Sequence, residues 1–416
     1  MHVYLEALGC RLNTAELDEL ARQFAGAGWT VTPSPDEAEV IVLNSCAVTA
    51  TAARKSRHRL HTLHRRCPRA RLAVVGCWAT AEAARAEDLS GVDWVIPNHD
   101  KARAVEIITG IAAAPAAWEP GRWGHTRAFL AVQDGCNHTC TYCITRILRG
   151  PARSRTLPDV VATVRHLAAQ GAQEVVLTGV SLGAYGHDRV GSGDLATLVE
   201  AILTETPLPR LRLSSVEPWD VDARLLQFLN HPRFCRQLHL PLQSGAEPVL
   251  RRMGRRFTPA QFEQLAAAAR AICLEVALTT DLIAGFPGET EADFAATLDF
   301  VAHMGFARLH VFPYSERAGT PAARLPDSVP QAVRVERASQ LRILGERLAA
   351  EYRAHFIGRT LPVLWEHKDA LGRWHGLTDN YLEVFAPSAL DMYNRVTLTR
   401  LTIVTDTGLQ GEILDG

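Results

Sequence analysis

The chain has 416 residues, 47% of them hydrophobic and 21% charged, a balance that excludes a disordered or fibrous protein and leaves room for roughly three packed domains. Its net charge of −1 marks no global polyanion binder. No run of about 18 apolar residues is present to span a bilayer, and the opening MHVYLEALGC reads as a strand rather than an export signal, so the expectation is a cytoplasmic protein with no membrane partner.

Residues 2 to about 110 alternate short apolar runs with helical ones. HVYLEALG, EVIVLNS, RLAVVG and VDWVIP read as strands, and TAELDELARQFAGAG and TAARKSRHRLHTLH as helices. The alternation predicts a parallel α/β layer over residues 1–112. Nine cysteines stand at 10, 46, 67, 77, 136, 140, 143, 235 and 273; their odd number and the lack of an export signal favour metal or redox chemistry over a disulfide framework. Cys10, Cys46 and Cys77 each follow one of the first three strands. Because ligands of open parallel sheets bind at the carboxyl ends of strands, three thiols far apart in sequence can meet there; three buried structural cysteines are the alternative. Residues 54–71, RKSRHRLHTLHRRCPRAR, hold eight Arg or Lys, three His and no acid, and Arg146, Arg149, Arg153 and Arg155 add to them. Such a stripe suits a phosphate backbone, and a solvated helix face explains it equally well.

The stretch IAAAPAAWEPGRWG, 111–124, breaks both periodicities and reads as a linker. Six strand-like runs follow: AFLAVQ, EVVLTG, RLRLSS, RQLHLPL, LEVALTTDLIAG and RLHVFPY, with amphipathic stretches between them. Over residues 125–330 they predict a partial (β/α)6 barrel whose chemistry sits at the strand C-termini. A charged connecting helix over 331–356 follows RLPDSVP, and residues 357–416, with VLWEHKD, RWHGLTDNYLEVFAP, RVTLTRLTIVTD and LQGEIL, read as a small all-β module. RNA binding and a structural cap on the barrel both fit that module.

After the first barrel strand comes CNHTCTYC, residues 136–143, with three cysteines in eight positions. Three thiolates can hold a 4Fe-4S cluster and leave one iron open for a substrate or cofactor. A Cys3His zinc site recruiting His138 or His125 is the competitor.

The pattern CxxxCxYC in this setting resembles the signature of the radical S-adenosylmethionine enzymes. LGCRLNTAE, LNSCAVT, VVGC, QDGCNHTCTYCI, VLTGVSLGAYG, LSSVEP, LHLPLQSG, RRMGRRFT, DLIAGFPGET and FPYSERAGTPA resemble the methylthiotransferases of that superfamily across essentially the whole chain. Within them LGCRLN, NSCAVTATAARKSR and QDGCNHTCTYC look most like the branch acting on N6-threonylcarbamoyladenosine of tRNA, next to the anticodon. The resemblance implies an N-terminal cluster-binding domain, a radical barrel and a TRAM-like RNA-binding tail. It implies that Cys136, Cys140 and Cys143 hold the cluster that binds and reductively cleaves S-adenosylmethionine, and that Cys10, Cys46 and Cys77 hold a second 4Fe-4S cluster bearing the sulfur to be transferred. By the same resemblance Tyr142, Thr178, Gly179, Ser214, Ser215, Glu217, Gln243, Ser244, Asp281 and Gly285 line the S-adenosylmethionine pocket; from their local charge Arg54, Lys55, Arg57, Arg149 and Arg153 are the candidate contacts to the anticodon stem-loop of the tRNA, and Arg317 suits a carboxylate or phosphate of the substrate or only a neighbouring acid. An electron donor and a sulfur donor are further implied partners. Ser45 stands where threonine is usual, and ITRILRG lacks the family's proline after the cluster loop. Cys67 reads as a spare thiol, Cys235 and Cys273 as packing residues, and His58, His61 and His64 as a solvated or RNA-facing surface. The alternatives are a methylthiotransferase for isopentenyladenosine or a ribosomal-protein side chain, and a zinc-stabilised RNA-binding protein without catalysis.

Overall fold

The computed structural model describes all residues except 90, 122–125, 190, 192 and 415–416; His125 therefore lies outside the described residues. Three layers of strands follow one another along the chain. The first is a five-stranded parallel sheet of β1 (His2–Ala7), β2 (Thr30–Val31), β3 (Val40–Ser45), β4 (Arg71–Gly76) and β5 (Val92–Ile96) in the order β2-β1-β3-β4-β5. Every residue of β3 is buried, as a continuous VIVLNS run in the middle of a covered parallel sheet requires. The two-residue β2 carries no sequence pattern of its own and pairs because the helix Arg11–Gly26 returns the chain beside β1.

The central layer contains β6 (Ala128–Asp134), β7 (Arg153–Ser154), β8 (Glu174–Gly179) and β9 (Arg210–Leu213) in the order β7-β6-β8-β9, then β10 (Gln237–His239), β11 (Ala277–Ala284) and β12 (Arg308–Pro313). Two parallel bridges, Leu211 to Phe234 and Ser215 to His239, join the two groups. All but β7 run parallel, giving an open crescent of six strands with Leu177, Leu213, Leu238 and Leu282 in its core. The expected strand RQLHLPL shrinks to Gln237–His239, since Pro241 has no N–H for a ladder. The linker has no helix or strand over 111–120, yet it is anchored: Trp118 is buried in the central core and its N–H donates to Gln170 Oε1 at 2.9 Å.

The connecting helix spans Gln331–Ala354, and β13 (Thr360–Lys368), β14 (Arg373–Thr378), β15 (Glu383–Pro387), β16 (Val396–Val404) and β17 (Leu409–Ile413) close into a barrel in the order β13-β14-β15-β17-β16. The run RWHGLTDNYLEVFAP is two strands, split by a turn in which Tyr381 adopts φ 67°. This barrel docks on the starts of the central strands. Arg212 donates to the carbonyls of Thr378 and Asp379, Arg210 donates to that of Leu377, Arg236 pairs with Asp379, and Arg127 pairs with Glu366. Tyr381 lies among the guanidinium groups of Arg11, Arg127 and Arg212, so the closed barrel plugs the end of the crescent away from the strand C-termini. No helix among the described residues is long and apolar enough to cross a membrane.

Candidate functional site

The site grows from the C-terminal ends of two sheets. In the first, β1, β3 and β4 are neighbours with Ala7 opposite Asn44 and Ser45 opposite Gly76, so Cys10, Cys46 and Cys77 leave three adjacent strand ends. Gly9, at φ 110°, lets the first turn pass Cys46: a Cβ there would stand 2.8 Å from the Cys46 sulfur. The three thiols are near enough for charge on Cys77 to act on both Cys10 and Cys46. Polar braces hold these turns. Asn13 donates to the carbonyls of Leu8 (2.6 Å) and Ser45 (3.1 Å). The Ser56 hydroxyl accepts from the Cys46 N–H and donates to its carbonyl, while Ser45 Oγ accepts the N–H groups of Trp78 and Ala79 that open the helix after Cys77. Burial pushes the Cys46 thiol up to about 11, and the nearby Arg149 cation acts in the other direction; a bound cationic group would convert such thiols to thiolates.

The second group is local. After β6, Gly135 turns at φ 71° in a place where a Cβ would meet the Pro151 carbonyl at 2.0 Å, and Cys136, Cys140 and Cys143 follow in one loop. Backbone bonds fix it: Cys136 N–H to the Gly150 carbonyl, Cys143 N–H to that of Cys140, and Thr141 N–H to that of Met253. All three cysteines are half-buried. Burial raises the Cys136 thiol to about 11 and also raises Cys140, against which the adjacent Arg255 works. Arg255, whose side chain is wholly buried, stands 3.8 Å from Cys140 Sγ and pairs with Glu217 at 2.6 Å. Among the described residues no three His, Cys, Asp or Glu side chains close around a point fit for a single ion. Both thiol sets have the donor chemistry of a multi-iron cluster, three thiols and no fourth cysteine beside them.

One short helix, Thr145–Arg149, separates the two groups, and its last residue ties them together. Arg149 donates to Glu16 Oε1 at 2.8 Å, Asp134 Oδ1 at 2.9 Å and Asn13 Oδ1 at 3.0 Å. Lys101 donates to Glu16 Oε2 at 2.7 Å. Burial opposes ionisation of Glu16, yet Lys101 and Arg149 together hold its carboxyl down at about 2. Asn98 completes the seam, donating to the Leu148 carbonyl at 3.0 Å and standing 3.6 Å from Cys77 Sγ.

The other expected site residues divide. Glu217 and the buried Ser214 hydroxyl, which has no protein partner, stand at the strand ends, with Ser215 in the bridge to His239. Tyr142 packs beside Phe286 and Tyr314. Asp281 pairs with His239 at 3.2 Å, and although burial opposes ionisation the His239 bond keeps its carboxyl below the ordinary range. Gln243, at φ 74°, is pinned to β11 through both backbone groups. Thr178 is buried and Gly179 is packed against Gln133. Three expectations are corrected on packing grounds. Arg149 does not face RNA, because it is buried between Glu16 of the helix Arg11–Gly26 and Asp134 of β6. Ser244 is fully buried and bonds the Thr297 hydroxyl and the Ala246 N–H. Gly285 is a turn beneath Arg334 whose N–H serves Glu289. Arg54 and Lys55 are exposed, Arg57 is half-buried, and Arg153 is exposed near Asp134. Arg317 keeps a buried Nε with no partner, close to Ser315, whose hydroxyl accepts the Ala50 N–H from the first sheet's side. Asn13, Glu16, Lys101 and Arg255 were missed. Asn13, Glu16 and Arg255 lie inside the motifs LGCRLNTAE and RRMGRRFT, so their position was visible and their role was not.

Residues 130–301 match the Radical SAM superfamily and residues 2–97 the uncharacterized protein family UPF0004. A threonylcarbamoyladenosine tRNA methylthiotransferase of Thermotoga maritima is 35% identical over 92% of this chain and 90% of its own, and one of Bacillus subtilis is 32% identical over 96% and 93%. A tRNA-2-methylthio-N(6)-dimethylallyladenosine synthase of Chloroflexus aurantiacus is also 35% identical, over 98% and 90%. Among solved structures, the radical S-adenosylmethionine methyltransferase TsrM of Kitasatospora setae shares the fold, with a TM-score of 0.56 at 17% identity over 77% of this chain and 76% of that one.

Proposed function

Because the chain belongs to the radical S-adenosylmethionine tRNA methylthiotransferases, we propose that it places a methylthio group on C2 of N6-threonylcarbamoyladenosine-37 in the anticodon loop of tRNA. It is an enzyme of that class, whose members use S-adenosylmethionine and a 4Fe-4S cluster and, in methylthiotransferases, a second cluster. The reading is of a cytoplasmic enzyme with cluster-binding, radical, connecting and TRAM-like segments at 1–112, 125–330, 331–356 and 357–416.

Cys136, Cys140 and Cys143 would hold one cluster and Cys10, Cys46 and Cys77 the other, which together supply the electron for S-adenosylmethionine cleavage and the sulfur to be transferred. The chain's own residues orient and enclose. Arg255 fixes Glu217 beside Cys140, where a carboxylate suits an ammonium group. Ser214 offers an uncommitted hydroxyl to a ribose. Tyr381 and its three arginines seal the strand starts, so the reacting groups meet in a pocket open at one end. Two three-thiol groups on either side of the helix Thr145–Arg149 are the observation that carries this proposal.

The half-buried Arg317, two residues from Ser315 on the loop that meets Ala50, favours the threonylcarbamoyl substrate, whose carboxylate its guanidinium would pair with. The exposed Ile147, beside Gly319, favours a second reading in which the apolar dimethylallyl group is taken. The reconstituted enzyme, given tRNA bearing either modification, decides by nucleoside mass spectrometry. A methylthio product from threonylcarbamoyladenosine is expected; product from dimethylallyladenosine alone overturns the first reading in favour of the second.

A further inference from the structure

We propose that Asn98 is a positioning residue of the second three-thiol site, whose side-chain N–H bonds the Cys77 sulfur and raises the reduction potential of the cluster that Cys10, Cys46 and Cys77 would hold. This rests on the two-cluster reading above. The sheet itself puts Asn98 there. Val75 of β4 pairs with Ile96 of β5, so two residues further on Cys77 and Asn98 leave neighbouring strand ends side by side. A turn fixes the backbone: the Asp100 N–H donates to the Pro97 carbonyl at 3.0 Å. The Asn98 N–H donates at 2.8 Å to Thr80 Oγ1, which in turn donates to the carbonyl of Gly76, the residue before Cys77. Cys77 and Asn98 are therefore held by the same few bonds.

The side chain has one workable orientation. Its Nδ2 lies 3.0 Å from the Leu148 carbonyl, in the last turn of the helix Thr145–Arg149, and 3.6 Å from Cys77 Sγ. A carbonyl at a helix end has no partner within its helix and can only accept; a thiolate likewise only accepts, so both amide hydrogens are used. The opposite end, Oδ1, is buried without a partner, a cost that the two donor contacts offset. Among the described residues no other side-chain N–H bonds the sulfurs of Cys10, Cys46 or Cys77, whereas the radical loop has the charged Arg255 beside Cys140. A reduced cluster carries one more negative charge than an oxidised one, so a donor to a ligating sulfur stabilises the reduced form more and lifts the potential. Through Leu148 the same amide is anchored to the radical loop's helix.

The test is a redox titration, followed by electron paramagnetic resonance, of two full-length backgrounds after anaerobic reconstitution. Cys136→Ala/Cys140→Ala/Cys143→Ala keeps only the second site, and Cys10→Ala/Cys46→Ala/Cys77→Ala keeps only the radical one. At the midpoint of the first background, adding Asn98→Leu should move the second site about tenfold toward the oxidised form, a lowering of about 59 mV for one electron; in the other background it should leave the radical site unmoved. Asn98→Gln, which keeps the amide, should recover most of the shift. Where Asn98→Leu holds fewer than about four irons, Asn98→Ala removes the donor without adding bulk and is titrated in its place; loss of iron from both makes Asn98 a structural residue only and overturns the proposal. An unmoved second-site potential, an equal shift at both sites, or no recovery in Asn98→Gln also overturns it while leaving two clusters standing. A first background that binds neither iron nor sulfide removes the two-cluster reading, and the role of Asn98 with it.

Discussion

The two cysteine groups reach the same donor set by opposite routes. Cys136, Cys140 and Cys143 come from one loop whose backbone bonds close on itself and on Met253. Cys10, Cys46 and Cys77 come from three strand ends and meet only because β1, β3 and β4 are in register and Asn13, Ser45 and Ser56 brace the turns. A local site depends on little besides its own loop. A site assembled across a sheet inherits every weakness of the sheet, and here it also leans on Arg149 from the other group's helix.

The strongest way to break the comparison is to remove one thiol from each group. Cys140→Ala should abolish deoxyadenosine production from S-adenosylmethionine, whereas Cys46→Ala should spare it and stop methylthiolation; chromatographic assay of both products checks the split, and thiolation surviving in Cys46→Ala would show that group to be misassigned. Next in size is Arg149→Met. It leaves Asp134 without its buried cation and Glu16 with Lys101 alone, at a cost of about 3 kcal/mol, and should lower the thermal midpoint and reduce methylthiolation more than S-adenosylmethionine cleavage. Equal loss of both activities would mean that Arg149 serves the radical loop alone.

A pH-dependent contrast concerns two acids on one helix. Glu16 is paired and held at about 2, so it stabilises the fold above the ordinary carboxylate range and that contribution fades as pH falls toward 2. Asp18 has a buried oxygen with no partner, and burial raises its carboxyl to about 8. Its folded form therefore keeps a proton that the unfolded chain gives up near pH 4, and the stability this proton provides is lost as pH rises from about 4 to 8. Asp18→Asn should flatten that slope and raise the midpoint at pH 8 relative to wild type. Melting curves from pH 5 to 9 test it, and parallel curves for the two proteins would contradict it.

Much of this architecture was legible because it obeys simple periodicities. The four long strands of the first sheet and the six of the crescent appear as apolar runs, and the rule that parallel strands present ligands at their carboxyl ends placed Cys10, Cys46 and Cys77 together before any fold was known. Illegible features depend on partners far along the chain. Arg149 looks like one more member of a basic run, and only the fold brings Glu16 to it from 133 residues away. Ser244 and Gly285 have the residue types of a ligand rim, but neighbouring helices bury them. The short strands β2 and β7 hold two residues each, too few to show a period.

The most direct test of two separate three-thiol sites is the iron and acid-labile sulfide content of the anaerobically reconstituted wild-type chain and of a Cys10→Ala/Cys46→Ala/Cys77→Ala variant. Two clusters predict about eight irons with matching sulfide in the wild type and about four in the variant. Equal iron in both chains, or zinc in place of iron, would contradict the account.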